Sequence, residues 1–337
     1  MSRPTRGPWR LLNILFLPVS LLLLGFAALV VPMPFFVEAP GTPLGLAGSV
    51  DVPDADELTG DFLVTTVNLR QGTATRLVTG LLDDEASLVR SSGVLSPGED
   101  PQEFFDRQRQ IFRQSVDVAA AVALGAAGYD VGPSDITGSG ALVVRLTEGA
   151  PAEGVLRPGD VITAVDGAPV RVTDDLRGLV TEAEEVQLTV VRDGQPRDLR
   201  VRPGLIHTSE GDVRGLGVEV QTADPRISLP VDVEVDAGTV GGPSAGLLLA
   251  LTIYDLVSDE DLAAGRVIAG TGTLSPQGNV GAVGGIPSKV VSAERSGADV
   301  FVVPAAQLEA ALEALPEGSD LEIVSAATFE EALADLR

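Results

Sequence analysis

The chain has no cysteine, one histidine and one lysine among its 337 residues, and only 4% of them are aromatic. Without cysteine there is no disulfide, no thiol nucleophile and no cysteine-based metal site. One histidine excludes an HExxH zinc motif and most histidine-rich sites. That residue, His207, has no acidic group or nucleophile at motif distance and reads as a linker or surface residue. Positive charge is scarce too: 23 Lys plus Arg face 48 Asp plus Glu, a formal net charge of −25. Such a balance argues against nucleic acid, whose phosphates demand a basic surface. The acidic clusters at 83–85, Asp174-Asp175 and 182–185 read as solvated faces, since none has calcium-loop spacing. No metal and no cofactor is expected. The single lysine sits in Ser-Lys-Val, so no GxxxxGK[ST] phosphate loop exists and no ATP engine is built in.

The lone lysine is Lys289, against 22 arginines. Arg stays protonated at any physiological pH, whereas a desolvated Lys can lose its proton and act as a base. An arginine-biased composition could also leave one lysine by accident, so its place in the chain has to decide.

The length suggests two or more domains, and 45% hydrophobic residues suffice for real cores. Arg3, Arg6 and Arg10 precede residues 11–37, which carry no charge. The apolar part, 11–31, matches the length that crosses a bilayer, with Pro18 as a tolerated kink. Arginines on its N-terminal side place that end in the cytoplasm and the remainder outside. A cleaved signal peptide would need a shorter core and a small-residue cleavage site, and no A-x-A follows. The expectation is an uncleaved, single-pass cell-membrane anchor over 1–37 with extracytoplasmic domains.

Residues 38–132 read as a small α/β region: a strand at 62–69, a short helix at 75–82 and a long helix from Pro101 to about Ala126. From about 133 to 204 the pattern turns to short strands with turn signals, including LRPGDVITAVDGAPV. This stretch resembles a PDZ domain of the bacterial protease-associated kind. The resemblance implies binding of an extended chain end as an added strand. Gly138, Gly140, Ala141, Leu142 and Val143 are its candidate groove residues, although the segment near Gly132 competes for the carboxylate loop.

Beyond 204 the pattern is α+β, with strands expected at 216–221 and 231–235. Then comes Gly241-Gly242-Pro243-Ser244-Ala245-Gly246 and an apolar helix at 247–256. Glycines let backbone N–H groups approach a carbonyl, and a helix start offers free donors to an oxyanion. Ser244 also suits an ordinary helix N-cap. Gly278 to Gly285 lead into Ile286-Pro287-Ser288-Lys289, which opens a second helix. A positive charge in a first turn opposes the helix dipole, and the same field lowers an amine pKa.

GGPSAG, 45 residues before the lysine of VGGIPSK, together with ERSGADVFVVP, resembles the proteolytic domain of the Lon family. The resemblance, over about 213–337, implies a Ser-Lys dyad: Ser244 the nucleophile, Lys289 the general base. It also implies Thr271 as a partner of the lysine, and an oxyanion loop around Gly242 and Pro243. Anchor, PDZ domain and Lon-like domain in this order resemble membrane-anchored PDZ–Lon-like peptidases. The expected fold is α+β throughout: a transmembrane helix, a small α/β region, a PDZ-like β domain and a Lon-type proteolytic domain. The expected activity is an ATP-independent serine endopeptidase acting on protein or peptide substrates, with a homo-oligomer left open. A PDZ adaptor or chaperone with an inactive Lon-like domain is the alternative.

Overall fold

Residues 300–304 are apolar without interruption, the pattern of a strand covered on both faces. In the computed structural model, which describes residues 9–83, 85–95, 99–147, 149–181, 183–208, 211–236, 238 and 240–337, they form the strand Val300–Pro304. Side-chain surroundings are described from residue 18 onward, except at 134, 207, 208 and 211–213. Arg3, Arg6, Asp84 and Glu182 of the sequence expectations lie outside the described residues, as does the side chain of His207. The strand belongs to a five-stranded sheet ordered 44–45, 61–64, 267–270, 300–304, 322–326, parallel except for its first strand. Val300 and Val302 face one helical layer, Phe301 and Val303 the other. The first layer holds the helices Pro101–Ala126, Gly246–Val257 and Phe329–Leu336; the second holds Ile286–Arg295 and Leu308–Glu313.

Part of this core comes from the first third of the chain. Asp100 caps the long helix reciprocally with Glu103, and Pro101 opens it, so its start is locally encoded. Its small residues Ala119, Ala120 and Ala123 share one core with Leu247, Leu248 and Leu251 of the serine-side helix. The strand expected over 62–69 is in fact two. Asp61–Val64 joins the main sheet, while Val67–Gln71 pairs with Phe35–Pro40 in a separate three-stranded sheet with Ser87–Arg90. Thr65 separates them: its N–H and its hydroxyl both donate to Gly270 O, which ends the first strand against the main sheet. Residues 38–132, expected as a region of their own, therefore share a core with the C-terminal part of the chain.

The PDZ-like unit has its own apolar centre, including Val143, Ile162, Val165, Leu176 and Leu188. Its sheet runs 195–201, 186–192, 161–165, 140–146, 218–223. Asp160 of the Pro-Gly-Asp signature is 1% exposed and takes two hydrogen bonds from Arg192 (2.7 and 2.6 Å). The turns at Asp166-Gly167 and Asp193-Gly194 have positive φ at both residues, as tight hairpins need. Thr137 and Arg226 exchange backbone hydrogen bonds (3.2 and 2.8 Å), so the unit leaves and rejoins the core at one antiparallel bridge. The strands expected at 216–221 and 231–235 become Val218–Ala223 and the short Glu234–Val235, which pairs with Val50–Asp51.

The N-terminal apolar stretch is helical over Trp9–Val30. Among the described residues no helix is long and apolar enough to cross a membrane, so the spanning anchor is not supported. The apolar side chains of the N-terminal helix are nonetheless bare: Leu22 and Leu24 are 74% and 72% exposed.

Candidate active site

The carboxyl end of a parallel strand is where a sheet of this type exposes a site between its two helical layers. Here that strand is Val267–Gly270. A Cβ on Gly270 would lie 2.6 Å from Val302 O and 2.7 Å from Leu248 Cδ2, so glycine lets the serine-side helix close onto the sheet. Thr271, fully buried, follows it and donates its N–H to Val302 O (2.9 Å). Gly272 N–H donates to Ser244 O (2.9 Å), and Leu247 N–H donates to Gly272 O (3.1 Å). These bonds stitch the serine turn to the strand end. Ser244 is not a helix cap: the N-cap is Ala245, with no side-chain bond. The ordinary explanation for the serine thus falls away.

On the opposite face, Gly285 starts the lysine helix in a left-handed conformation (φ 74°). Lys289 sits in the first turn, as expected, and is 2% exposed. Its Nζ donates to Thr271 Oγ1 (2.7 Å), and Thr271 Oγ1 donates to Ser244 O (3.1 Å). Serine and lysine arrive from opposite faces of one sheet and are linked by Thr271; no direct Ser244–Lys289 side-chain bond occurs among the described residues.

The Lys289 pKa is lowered to about 8: burial is the main cause, Glu219 and Glu38 oppose it, and the nearby Arg145 adds a smaller lowering. A lysine at that value is about one tenth neutral at pH 7, against less than about a thousandth at the ordinary 10.4. Glu38 is itself 2% exposed and accepts from Arg145 Nη1 (3.2 Å). Burial pushes Glu219 upward as well. These three residues come from separate segments of the chain, and the sequence reading missed them. The one local signal was a single charge inside Phe-Phe-Val-Glu-Ala-Pro.

Gly242 adopts φ 89° next to the serine, but its N–H donates to Gln108 O of the long helix (2.9 Å). In this conformation that expected oxyanion donor is engaged. Pro243 O accepts from Gly246 N–H (3.1 Å), closing the turn. The expected PDZ groove residues do line one strand edge, yet the edge is filled: Gly140 pairs with Ala223, Ala141 with Thr222, Leu142 with Gln221 and Val143 with Val220. Gly138 is packed so closely that a Cβ would lie 2.5 Å from Thr222 Cγ2. A cavity of about 1470 Å³ lies between the PDZ-like unit and the core, lined by Arg145, Arg177, Glu219, Leu274 and Gly284 among others. Among the described residues no group of three or more His, Asp or Glu side chains is placed to hold a metal ion.

Residues 219–336 match the model of the Lon protease (S16) C-terminal proteolytic domain. Residues 119–202 match that of the PDZ domain. The chain thus holds one segment similar to a Lon-type proteolytic domain and one similar to a PDZ domain. It is 28% identical to Lon protease 2 of Bacillus subtilis over 124 residues, 37% of this chain and 21% of that protein. It is 36% identical to the Lon protease of Citrifermentans bemidjiense over 110 residues, 32% of this chain and 13% of that protein. A probable periplasmic serine endoprotease DegP-like of Pseudomonas putida is 29% identical over 140 residues, 36% of this chain and 29% of that protein. The chain therefore spans less than a third of each of these relatives. Among solved structures, the PDZ domain of an SdrC-like protein from Listeria innocua is 21% identical, with 24% of this chain and 92% of that chain covered and a TM-score of 0.22.

Proposed function

We propose that this chain is a serine endopeptidase acting on protein chains, with Ser244 as nucleophile and Lys289 as general base. The observation that carries the reading is the buried lysine tied through Thr271 to the serine turn, inside the segment that matches a Lon proteolytic domain. Neutral Lys289 takes the Ser244 proton as the oxygen attacks a peptide carbonyl, and water later releases the acyl-enzyme. The chain needs no ATP in this reading, since it contains no phosphate-binding loop. The PDZ domain recognises substrate or chain ends. Ser244→Ala and Lys289→Arg each abolish casein cleavage with the fold intact; full activity in Lys289→Arg refutes the base assignment.

Attachment to a cell membrane through the helix Trp9–Val30, whose apolar side chains are exposed from Val19 onward, with the domains on the extracytoplasmic side, completes the proposal. Its support is the bare apolar surface of that helix after an arginine-containing N-terminus. Membrane fractionation with alkaline extraction, and protease accessibility from outside the cell, test it.

A second reading, a binding module without turnover, has one observation in its favour: Gly242 N–H is held by Gln108 instead of facing an open site. Labelling of Ser244 by a serine-directed acylating probe separates the two.

A further inference from the structure

A PDZ groove lies between one strand edge and a neighbouring helix, and a ligand adds to that edge as an antiparallel strand. Here the edge is Gly140–Leu146 and the helix is Thr173–Val180. Residues 218–223 of the same chain already run along it, antiparallel and in continuous pairing apart from one bulge at Glu219/Val220. The direction is that of a ligand, with the C-terminal end at the Gly138-Ser139-Gly140 loop. Ser139 N–H donates to Ala223 O (2.8 Å), where a chain-end carboxylate would accept. Thr173 N–H, at the start of the helix, donates to Thr222 Oγ1 (3.3 Å). Val218 and Val220 pack on the PDZ core. The strand ends at Ala223, but the chain continues to the bridge at Arg226 instead of terminating there.

The same six residues also touch the proteolytic core. The Gln221 side-chain amide donates to Ile111 O (3.3 Å) and Gln114 Oε1 (2.9 Å) of the long helix. Glu219 is the strongest of the charges that favour protonated Lys289. One short strand thus joins the groove, the long helix and the surroundings of the lysine.

We propose that residues 218–223 are a resident ligand of the PDZ groove, that an extended peptide binds there only by displacing them, and that their departure draws Glu219 and Gln221 away from the proteolytic core. The partner is an extended chain end with β-branched residues at alternate positions, like Val218, Val220 and Thr222. Being tethered, the resident strand competes at a high effective concentration, so free peptides bind weakly until it is loosened. Only the consequence for turnover rests on the peptidase reading; the displacement does not.

The register supplies the test. Ala141 faces Thr222, and the chain has no cysteine of its own, so the pair Ala141→Cys/Thr222→Cys can form a single disulfide that locks the strand in place. The probe is a fluorescent peptide, Val-Glu-Val-Gln-Thr-Ala, with a free carboxylate. The reduced protein binds it, oxidation lowers binding at least tenfold, and the peptide alters casein cleavage only in the reduced form. Val220→Pro, which breaks the resident pairing without any cysteine, binds the peptide at least threefold more tightly than the unmodified chain. Equal binding in the reduced and oxidised forms, no binding to the reduced form, or unchanged binding in Val220→Pro overturns the proposal. If binding behaves as expected but no form cleaves casein or labels at Ser244, displacement stands and the peptidase reading falls.

Discussion

Two helices of similar length flank the central sheet and deliver the two candidate catalytic residues, by different means. The serine-side helix Gly246–Val257 is buried from Gly246 to Leu256 and almost wholly apolar. The lysine helix Ile286–Arg295 buries Ser288, Lys289 and Ser292 among its apolar residues. Ser292 Oγ donates to Gly41 O (2.7 Å), and Lys289 depends on Thr271 and on surrounding charges. Shape places Ser244; charge and hydrogen bonds place Lys289 and tune its pKa.

The largest test removes the chemistry at each end. Ser244→Ala and Lys289→Arg each lower casein turnover by at least about a thousandfold, with unchanged circular dichroism. A guanidinium cannot give up its proton, so restoring charge does not restore the base. Next comes the packing side: Leu248→Ala, at a fully buried position against Gly270, costs about 2–5 kcal/mol in thermal or urea unfolding. It leaves the pH midpoint of turnover where it was, because no charge near Lys289 changes. Thr271→Val removes the link between lysine and serine turn and lowers kcat/KM about 10–100-fold. The smallest effect is electrostatic. Turnover rises with pH through about 8 as Lys289 loses its proton. In Glu219→Gln that midpoint moves lower, since a charge favouring the ammonium is gone. An unmoved or raised midpoint shows that Glu219 does not tune the base.

Local signals made much of the site legible. Asp100, Pro101 and Glu103 announce the long helix, Lys289 stands in the first turn of the helix its glycine-rich turn suggested, and Ser244 lies in the turn just before the other helix. The Pro-Gly-Asp and Asp-Gly turns marked the PDZ strands because each is set by a few neighbouring residues. What stayed hidden depends on distant pairing. Nothing in Phe62 or Val64 says that their strand lies beside Val267–Gly270, some two hundred residues later, and the run to Leu69 gave no sign of the break at Thr65. Strand 218–223 has the alternation of any edge strand, so its seat in the groove could not be read from it. Arg145 and Glu38 gain their importance only when three segments meet beside Lys289.

The bridge between Thr137 and Arg226 has a consequence for how the molecule can be taken apart. A unit whose two ends emerge side by side can be excised and the gap closed by a short turn, with little loop entropy to lose. The main core has no such freedom, because its sheet and helices are assembled from both sides of the insertion. Cutting the chain just before residue 213 would strip the sheet of two strands and bare one face of the serine-side helix. The modular piece is the one in the middle, and the piece that carries Ser244 and Lys289 is the frame that holds it.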